Sequence, residues 1–518
     1  MCGIWLCIDG AGGSPTANAR RGPDHTTVYN HPEFKMVFDR LAIHDLTQDG
    51  NQPFTEHLTH EEEFVYMCNG EIYNYREIVE RHGFVMTTGS DCEVIGKLFA
   101  LYRDIRAVVA ELDGEYAIAG IVLKRKKLDT IIIARDPFGV RPLYWATSGH
   151  GFVFSSLLAG IEGISGAEHV PPGDTWMIRK HDTQFNSYFS RDWIPKTMTD
   201  IDQLFARTTS ALISAVHKRL SSERSIGFLL SGGLDSSLVV AIAVQMIGKE
   251  NVRTFSIGMP GGTDLEYARR AAVYLGTQHT EVLFTAEEGI AAIPEVVRAC
   301  ETYDITTIRA SVGQYLLANY IAKNTDIKVV LNGDGADEAE MGYLYFYNAP
   351  NEEEAHYESI NLLRNIHQFD GLRVDRCLAA HGLEARVPFL DPEFVQAMLS
   401  VPASLRIPTK KRMEKQFLRD AFFRLMPDLL PLDILYRKKE AFSDGVSKTT
   451  DSWFKILQRS IQCEVPVDTR YPHIQPMTAE AAYYRKLFDQ MFPGQHEVVP
   501  HYWMPNWSKT KDTSARTL

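Results

Sequence analysis

Three stretches of the chain carry residue types that could do chemistry on a phosphate ester. In IGFLLSGGLDSSLVVAIAV (226–244) an apolar strand runs into Ser231-Gly232-Gly233-Leu234-Asp235-Ser236-Ser237, and a helix follows at once. Paired glycines let the backbone approach an anion closely. Free N–H groups at the helix start, with the helix dipole behind them, complete an anion cradle to which Ser236 and Ser237 add hydroxyl donors. No G-x-x-x-x-G-K-[ST] occurs anywhere, so this is not a Walker A loop. In VVLNGDGADEAEMGY (329–343) a second short strand leads into a Gly-rich loop bearing Asp334, Asp337 and Glu338. Such a loop suits Mg²⁺ binding and the orientation of a reacting group, or else a solvated acidic turn. YRKKEAFSDGV (436–446) groups Arg437, Lys438 and Lys439, the fixed positive charge that reaction at an α-phosphate requires; spacing does not choose between the lysines.

A fourth candidate is a thiol. Cys2 stands between the initiator methionine and Gly3, and removal of Met1 makes it the first residue. Its α-amine, with a pKa of about 7.7–8.0, is placed to accept the thiol proton near neutrality. A lone Cys2 reads more simply as an inert buried thiol.

These groups need a large scaffold. The chain has 518 residues, enough for two to four domains at roughly 100–200 residues each. Its 45% hydrophobic and 23% charged residues are those of a globular protein. A net charge of −12 argues against nucleic acid as the main partner and leaves room for a small basic nucleotide site. No apolar run approaches the roughly 18–20 residues of a membrane helix, the longest being Leu238–Val244. Seven scattered cysteines without a C-x-x-C pair, and an N-terminus unlike a signal peptide, point to a reducing compartment, the cytoplasm by default. FVYMCN (64–69), EYAIAGIVL (115–123) and TIIIA (130–134) read as strands, with LKRKKLD (123–129) as a solvated connection. A helix is predicted over 201–220, then short strands at 226–230, 252–258 and 328–332 alternate with helices, the pattern of a parallel α/β sheet. Beyond about residue 360 the pattern is helical, and NEEEAHYE (351–358) reads as a solvated face.

The heptamer at 231–237 resembles the pyrophosphate loop of ATP pyrophosphatases, where Asp235 fits as a magnesium ligand. At the front, M-C-G-I, Arg21-Gly22-Pro23-Asp24, Arg40-Leu41-Ala42-Ile43-His44, Asn69-Gly70-Glu71-Ile72-Tyr73-Asn74 and Gly89-Ser90-Asp91 occur in an order that resembles the glutaminase domain of class II glutamine amidotransferases. Both halves together, with ETYDITTIRAS (301–311), HGLEARVPFLD (381–391) and KKEAFSDGV (438–446), resemble the class B, glutamine-hydrolysing asparagine synthetases from residue 1 to about 495. The resemblance implies an α/β and α+β multidomain fold. An N-terminal αββα sandwich of the N-terminal nucleophile hydrolase type spans 2–190, with a linker at 191–200. A parallel-sheet α/β ATP-pyrophosphatase domain with a helical C-terminal part spans 201–505, and 506–518 is a polar tail. It implies Cys2 as nucleophile, Asn69 and Gly70 as oxyanion donors, and glutamine contacts from Arg40, Leu41, Ala42, Ile43, His44, Glu71 and Asp91. It implies ATP and pyrophosphate contacts from Leu230, Ser231, Gly232, Gly233, Asp235, Ser236, Ser237, Ile257, Asn332 and Gly333, and Mg²⁺ on Asp235 and Asp337. Asp334 and Lys439 take the catalytic roles of the rear site. The substrates implied are aspartate, ATP, and glutamine or ammonia, with homodimers common in the family.

Several positions depart from the family pattern. The stretch Asp9–Arg20 is short and rich in Gly and Ala, which predicts the loss of a customary helix. Trp5-Leu6 replaces Phe-Gly, Arg20 replaces His, Val312-Gly313-Gln314 follows TTIRAS, Leu157 replaces Glu, and Asp334 is one methylene shorter than the usual Glu. The same architecture acting on another carboxylate, and a ligand-binding relative without turnover, are the competing readings.

Overall fold

The computed structural model describes residues 1–149, 151–179, 183–187, 200–440, 445–447, 451–463 and 473–509. The predicted linker, apart from Asp200, and the tail beyond Lys509 lie outside these residues.

The front half is built from two six-stranded antiparallel sheets. In the first, Gly3–Ile8 lies between Gly151–Ser155 and Phe34–Arg40. In the second, Gly114–Lys124 lies between Glu62–Ile72 and Lys127–Arg135. Alternation along the strands explains how they stack. Ile4, Leu6, Met36 and Phe38 of one sheet meet Val65, Met67, Ala117, Ala119 and Ile121 of the other. The opposite face of the second sheet, with Phe64, Tyr66, Cys68 and Ile118, packs under the helices Tyr75–His82, Glu93–Tyr102 and Ile105–Glu111. Strand Gly114–Lys124, covered on both faces, is buried over all but its last residue, as its unbroken apolar run requires. The basic segment Leu123–Asp129 holds the turn at Arg125 and Lys126, both at positive φ. Asp9–Arg20 contains turns and no helix, as its shortness predicts. This segment lies against Trp5, whose indole N–H donates to the Gly160 carbonyl at 2.9 Å, and Gly13 fits there only because a Cβ would come within 2.5 Å of the same oxygen.

The rear half carries a parallel sheet in the order Gln278–Leu283, Arg253–Gly258, Ile226–Leu229, Val329–Leu331, Glu384–Arg386. The first strand in sequence sits in the middle, so the winding reverses between Ile226–Leu229 and Val329–Leu331. That reversal opens a crevice at the carboxyl ends of two neighbouring strands, where ligands of open α/β sheets collect. Helix Leu234–Ile247 is buried along most of its length, matching its apolar sequence. The 351–358 segment begins helix Glu352–Asn365: Glu352, Glu353 and Glu354 are exposed, whereas Ala355 is buried. Two strands go beyond the sequence reading: Gln278–Leu283, an edge strand held by pairing with Arg253–Gly258, and Glu384–Arg386, inside the region read as helical and held by pairing with Val329–Leu331. Among the described residues no helix is long and apolar enough to cross a membrane.

Candidate functional sites at the two ends of a charged seam

The two Gly-rich loops of the rear half leave the adjacent strands at the reversal point and converge. Gly232 has φ +71°, and a Cβ there would come within 2.3 Å of the Tyr267 backbone. At Gly333 a Cβ would lie 2.7 Å from the Ser236 nitrogen, so the absence of a side chain lets the acidic loop touch the Ser-Gly loop. Helix Leu234–Ile247 has no side-chain cap, which leaves its first N–H groups to the cavity. The Ser236 hydroxyl instead accepts from the Ser231 nitrogen at 3.2 Å and fixes the loop.

A 210 Å³ cavity lies between the loops. Its wall includes Leu230, Ser231, Gly233, Asp235, Ser236, Ile257, Asn332, Gly333, Asp334, Asp337 and Lys439. Of the sequence-assigned nucleotide positions, Gly232 and Ser237 stand in the loop and helix behind that wall. Most of the charges here are paired. Lys415 donates to Asp235 at 2.5 Å and contacts Asp337 at 2.7 Å. Lys439 also donates to Asp337. Burial pushes the Asp337 carboxyl up, but the two ammonium groups outweigh it and hold the group below the usual carboxylate range. Arg373 pairs with Asp334 at 2.6 Å and Asp370 at 2.9 Å. Arg437 grips Asp264 at 2.6 Å, donates to the Ser231 carbonyl at 3.0 Å and lies 4.1 Å over the Tyr267 ring. Of the three basic residues at 437–439, then, Arg437 fixes the loop and Lys439 reaches the acidic pair. Lys415, Arg373 and Asp264 were not singled out in the sequence. Lys415 is carried into place by a positive φ of 57° just before helix Gln416–Leu425, a feature with no sequence motif.

Unpaired atoms also face this region: Asp235 Oδ1, Ser237 Oγ, Asn332 Nδ2, Gln314 Nε2 and Thr306 Oγ1 are buried without hydrogen-bond partners. Buried polar atoms are rarely left so, and these fit a polyanion and its cation. Two carboxylates, Asp235 and Asp337, are the donor type that holds Mg²⁺ alongside phosphate oxygens. No group of three or more His, Cys, Asp or Glu arranged for a metal exists among the described residues.

At the front, three consecutive residues of strand Glu62–Ile72 are among those assigned from the sequence. Asn69 is fully buried, and neither its carbonyl oxygen nor its amide nitrogen has a partner. Gly70 sits where a Cβ would come within 2.1 Å of the Glu115 carbonyl. Glu71 pairs with His44 at 3.2 Å and with Arg386 at 3.1 Å. Burial lowers the His44 pKa, yet Glu71 and Asp91 raise it further, to about 9. Burial and the neighbouring Glu71 raise the Asp91 carboxyl, which accepts from the Ile72 nitrogen at 2.6 Å. The Cys2 thiol donates to the Leu41 carbonyl at 3.7 Å, and burial pushes its pKa up to about 11. The Met1 amine lies 3.5 Å from Glu384. Leu41, Ala42 and Ile43 are buried beside this strand end, and the Ala42 nitrogen donates to Asp24 at 2.9 Å. Arg40 is turned to the loop that follows: it donates to the carbonyls of Thr47 (2.6 Å), His44 (3.1 Å) and Asp45, and to Asn51 at 2.9 Å.

A seam of buried charges joins the two sites. Arg21 donates to the Cys2 carbonyl at 3.0 Å and to both oxygens of Asp375 at 2.7 and 3.0 Å. Arg141 and Arg219 share Glu115, and Arg219 also holds Asp391 at 2.9 Å. Glu301 accepts from the nitrogens of Leu158 at 2.7 Å and Ala159 at 2.8 Å. The strings 301–311 and 381–391 serve this seam and the rear core: Asp304 caps helix Ile305–Asn324, and Arg309 grips Glu480 at 2.6 Å.

The chain was compared with known proteins. A family model described as glutamine amidotransferase domain matches residues 1–196, and one described as asparagine synthase matches 207–357 and 348–514. The glutamine-hydrolyzing asparagine synthetase of Gallus gallus is 39% identical over all of this chain and 98% of its own length. Those of Mus musculus and Homo sapiens are each 38% identical over the same shares. A solved glutamine phosphoribosylpyrophosphate amidotransferase of B. subtilis covers 48% of this chain and 64% of its own at 16% identity and a TM-score of 0.30.

Proposed function

The chain belongs to the family of glutamine-hydrolysing asparagine synthetases, and we propose that it makes asparagine from aspartate, glutamine and ATP through a β-aspartyl-AMP intermediate. What supports this reading is the conjunction, in one chain, of a near-terminal Cys2, an orphaned Asn69 side chain and a Ser-Gly loop at the strand-order reversal of a parallel sheet.

In this reading the front domain is residues 2–190 and the rear domain 201–505. Removal of Met1 frees the Cys2 amine, which takes the thiol proton. The thiolate attacks the side-chain carbonyl carbon of glutamine, and the oxyanion formed is met by the Asn69 amide and the Gly70 N–H. The orphaned Asn69 side chain supports this, since it has no structural partner to surrender. Ammonia leaves, and water cleaves the thioester to glutamate. Glu71 and Asp91 face the ammonium of glutamine. Its carboxylate shares Arg40 with the loop carbonyls.

In the rear site the side-chain carboxylate of aspartate attacks the α-phosphorus, and pyrophosphate leaves into the Ser231–Ser237 loop. Lys439 stands over the reacting phosphate, and Asp334, fixed by Arg373, faces the intermediate. Ammonia then attacks the acyl carbon and AMP leaves. Asp235 and Asp337 would hold Mg²⁺, which when bound offsets the charge of the departing pyrophosphate. Ammonia must pass unprotonated between the sites, and a dry passage for it would also protect the acyl adenylate from hydrolysis.

Product analysis with ATP, aspartate and amide-¹⁵N glutamine tests the proposal. The expected products are labelled asparagine, AMP and pyrophosphate. ADP and phosphate would overturn the adenylate route, and pyrophosphate release only with another acid in place of aspartate would overturn the substrate.

A further inference from the structure

A second cavity, of 270 Å³, lies in the seam between the two halves, away from both sites described above. It is hollow because small residues meet there, Ala17 and Ala159 from the front half and Ala380 from the rear. It is comparable in size to the 210 Å³ cavity of the rear site and open to solvent on one side, the form of a small-molecule pocket. Apolar surface comes from Leu157, Met491 and Phe492.

The charge on its wall is cationic. Arg20 and Arg298 line it with side chains 69% and 53% exposed, and they share one carboxylate, Glu295, at 3.7 and 3.5 Å. Inside, the Arg376 side chain is 1% exposed. Its terminal nitrogens reach the Ser156 carbonyl at 3.1 Å, Asp375 at 3.3 Å and Glu301 at 3.4 Å, but its Nε has no hydrogen-bond partner. Glu301 cannot offset a further cation, because its oxygens already hold two backbone N–H groups and Arg376. Glu162 is the remaining carboxylate on the wall, and it is exposed.

We propose that this cavity is a binding site for a small carboxylate with an apolar body. The carboxylate meets the guanidinium groups of Arg20, Arg298 and Arg376, and the body meets Leu157 and Phe492. The cavity is also joined to the front site. Arg21 lines it, holds the Cys2 carbonyl at 3.0 Å and grips Asp375, the neighbour of Arg376. Occupancy therefore alters the setting of Cys2 and with it the use of glutamine, a consequence that rests on the reading of the front site as a glutaminase.

Calorimetry on the full chain, with 3-phenylpropionate as probe and no substrates present, tests the binding alone. One saturable site per chain is expected. Binding should weaken about tenfold or more for the neutral 3-phenylpropanamide and for the Arg20→Ala/Arg298→Ala double variant, and vanish for Ala380→Leu. The double variant touches only exposed side chains and keeps the test decisive should Ala380→Leu fail to fold. Absence of saturable heat, or equal affinity for acid and amide, overturns the site. In turnover, the probe should change glutamine-dependent synthesis in the wild type and leave ammonium-dependent synthesis unchanged. Binding without that change overturns the coupling. Absence of glutamine-dependent synthesis before any probe is added counts against the front-site reading and not against the cavity.

Discussion

The front site is written on a strand, and the rear site on loops beyond strand ends. Asn69, Gly70 and Glu71 are consecutive in a ladder paired residue by residue with Gly114–Lys124, so their positions follow from sheet register. The Asn69 side chain there is buried with no partner to release. The rear site instead holds its cations in ion pairs: Lys415 with Asp235 and Asp337, Lys439 with Asp337, Arg373 with Asp334, Arg437 with Asp264. A polyphosphate has to compete for those cations, and a divalent ion for the carboxylates. On the proposed reading the first site is set before substrate arrives, whereas the second has to exchange partners on binding. Binding energy at the rear is therefore partly spent on breaking pairs, which makes each pair a lever on substrate affinity.

That contrast can be broken most sharply at Cys2. Cys2→Ala should abolish glutamine-dependent synthesis and leave synthesis from added ammonium near the wild-type rate; joint loss of both would show that the sites do not divide the work. Next in size are the rear lysines. Lys415→Ala strips Asp235 of its ammonium partner and leaves Asp337 with Lys439 alone, and a broken buried pair costs about 3–5 kcal/mol. Both ammonium- and glutamine-dependent rates should fall at least about a hundredfold, with a higher Mg²⁺ requirement. Unchanged pyrophosphate release in this variant would remove Lys415 from the site. Asn69→Ala should lower glutaminase kcat by about 10²–10³ with little change in KM and none in the ammonium-dependent rate, because a donor used only by the oxyanion acts on the transition state. A raised KM with unchanged kcat would place Asn69 in ground-state binding instead.

What the sequence disclosed follows the same division. Strands of the front half were legible because their apolar runs are long, and Gly114–Lys124 has to be buried on both faces. The heptamer at 231–237 was legible because the strand, glycines and helix are contiguous. Strand Glu384–Arg386 was not: three residues among helices give no period, and only pairing with Val329–Leu331 makes them extended. Lys415 was invisible for a similar reason, since its two partners stand in the first turns of helices far away in sequence. Arg40 was readable as a guanidinium near the front site, but its ties to the 44–51 loop were not, because they depend on how that loop folds back. Contiguous motifs can be read from composition and order, while pairs closed by the tertiary fold cannot.

The smallest effect concerns pH and the seam beside the front site. His44 lies 3.2 Å from Glu71, which Arg386 of the rear half also grips at 3.1 Å, so two basic groups, one from each half, meet at one carboxylate. Burial and Arg386 oppose a charge on His44, yet Glu71 and Asp91 carry its pKa to about 9, above the ordinary value of about 6.5. A folded-state pKa above the unfolded one gives stability that is complete below about pH 6.5 and is lost as pH rises through about 9. His44→Gln keeps a hydrogen-bond donor but cannot take the charge. The melting temperature of the wild type should therefore exceed that of the variant at about pH 6, and the gap should close steadily toward about pH 9 and above. If the two melting curves run parallel across that range, His44 is neutral in the fold, and Glu71 is held by Arg386 alone.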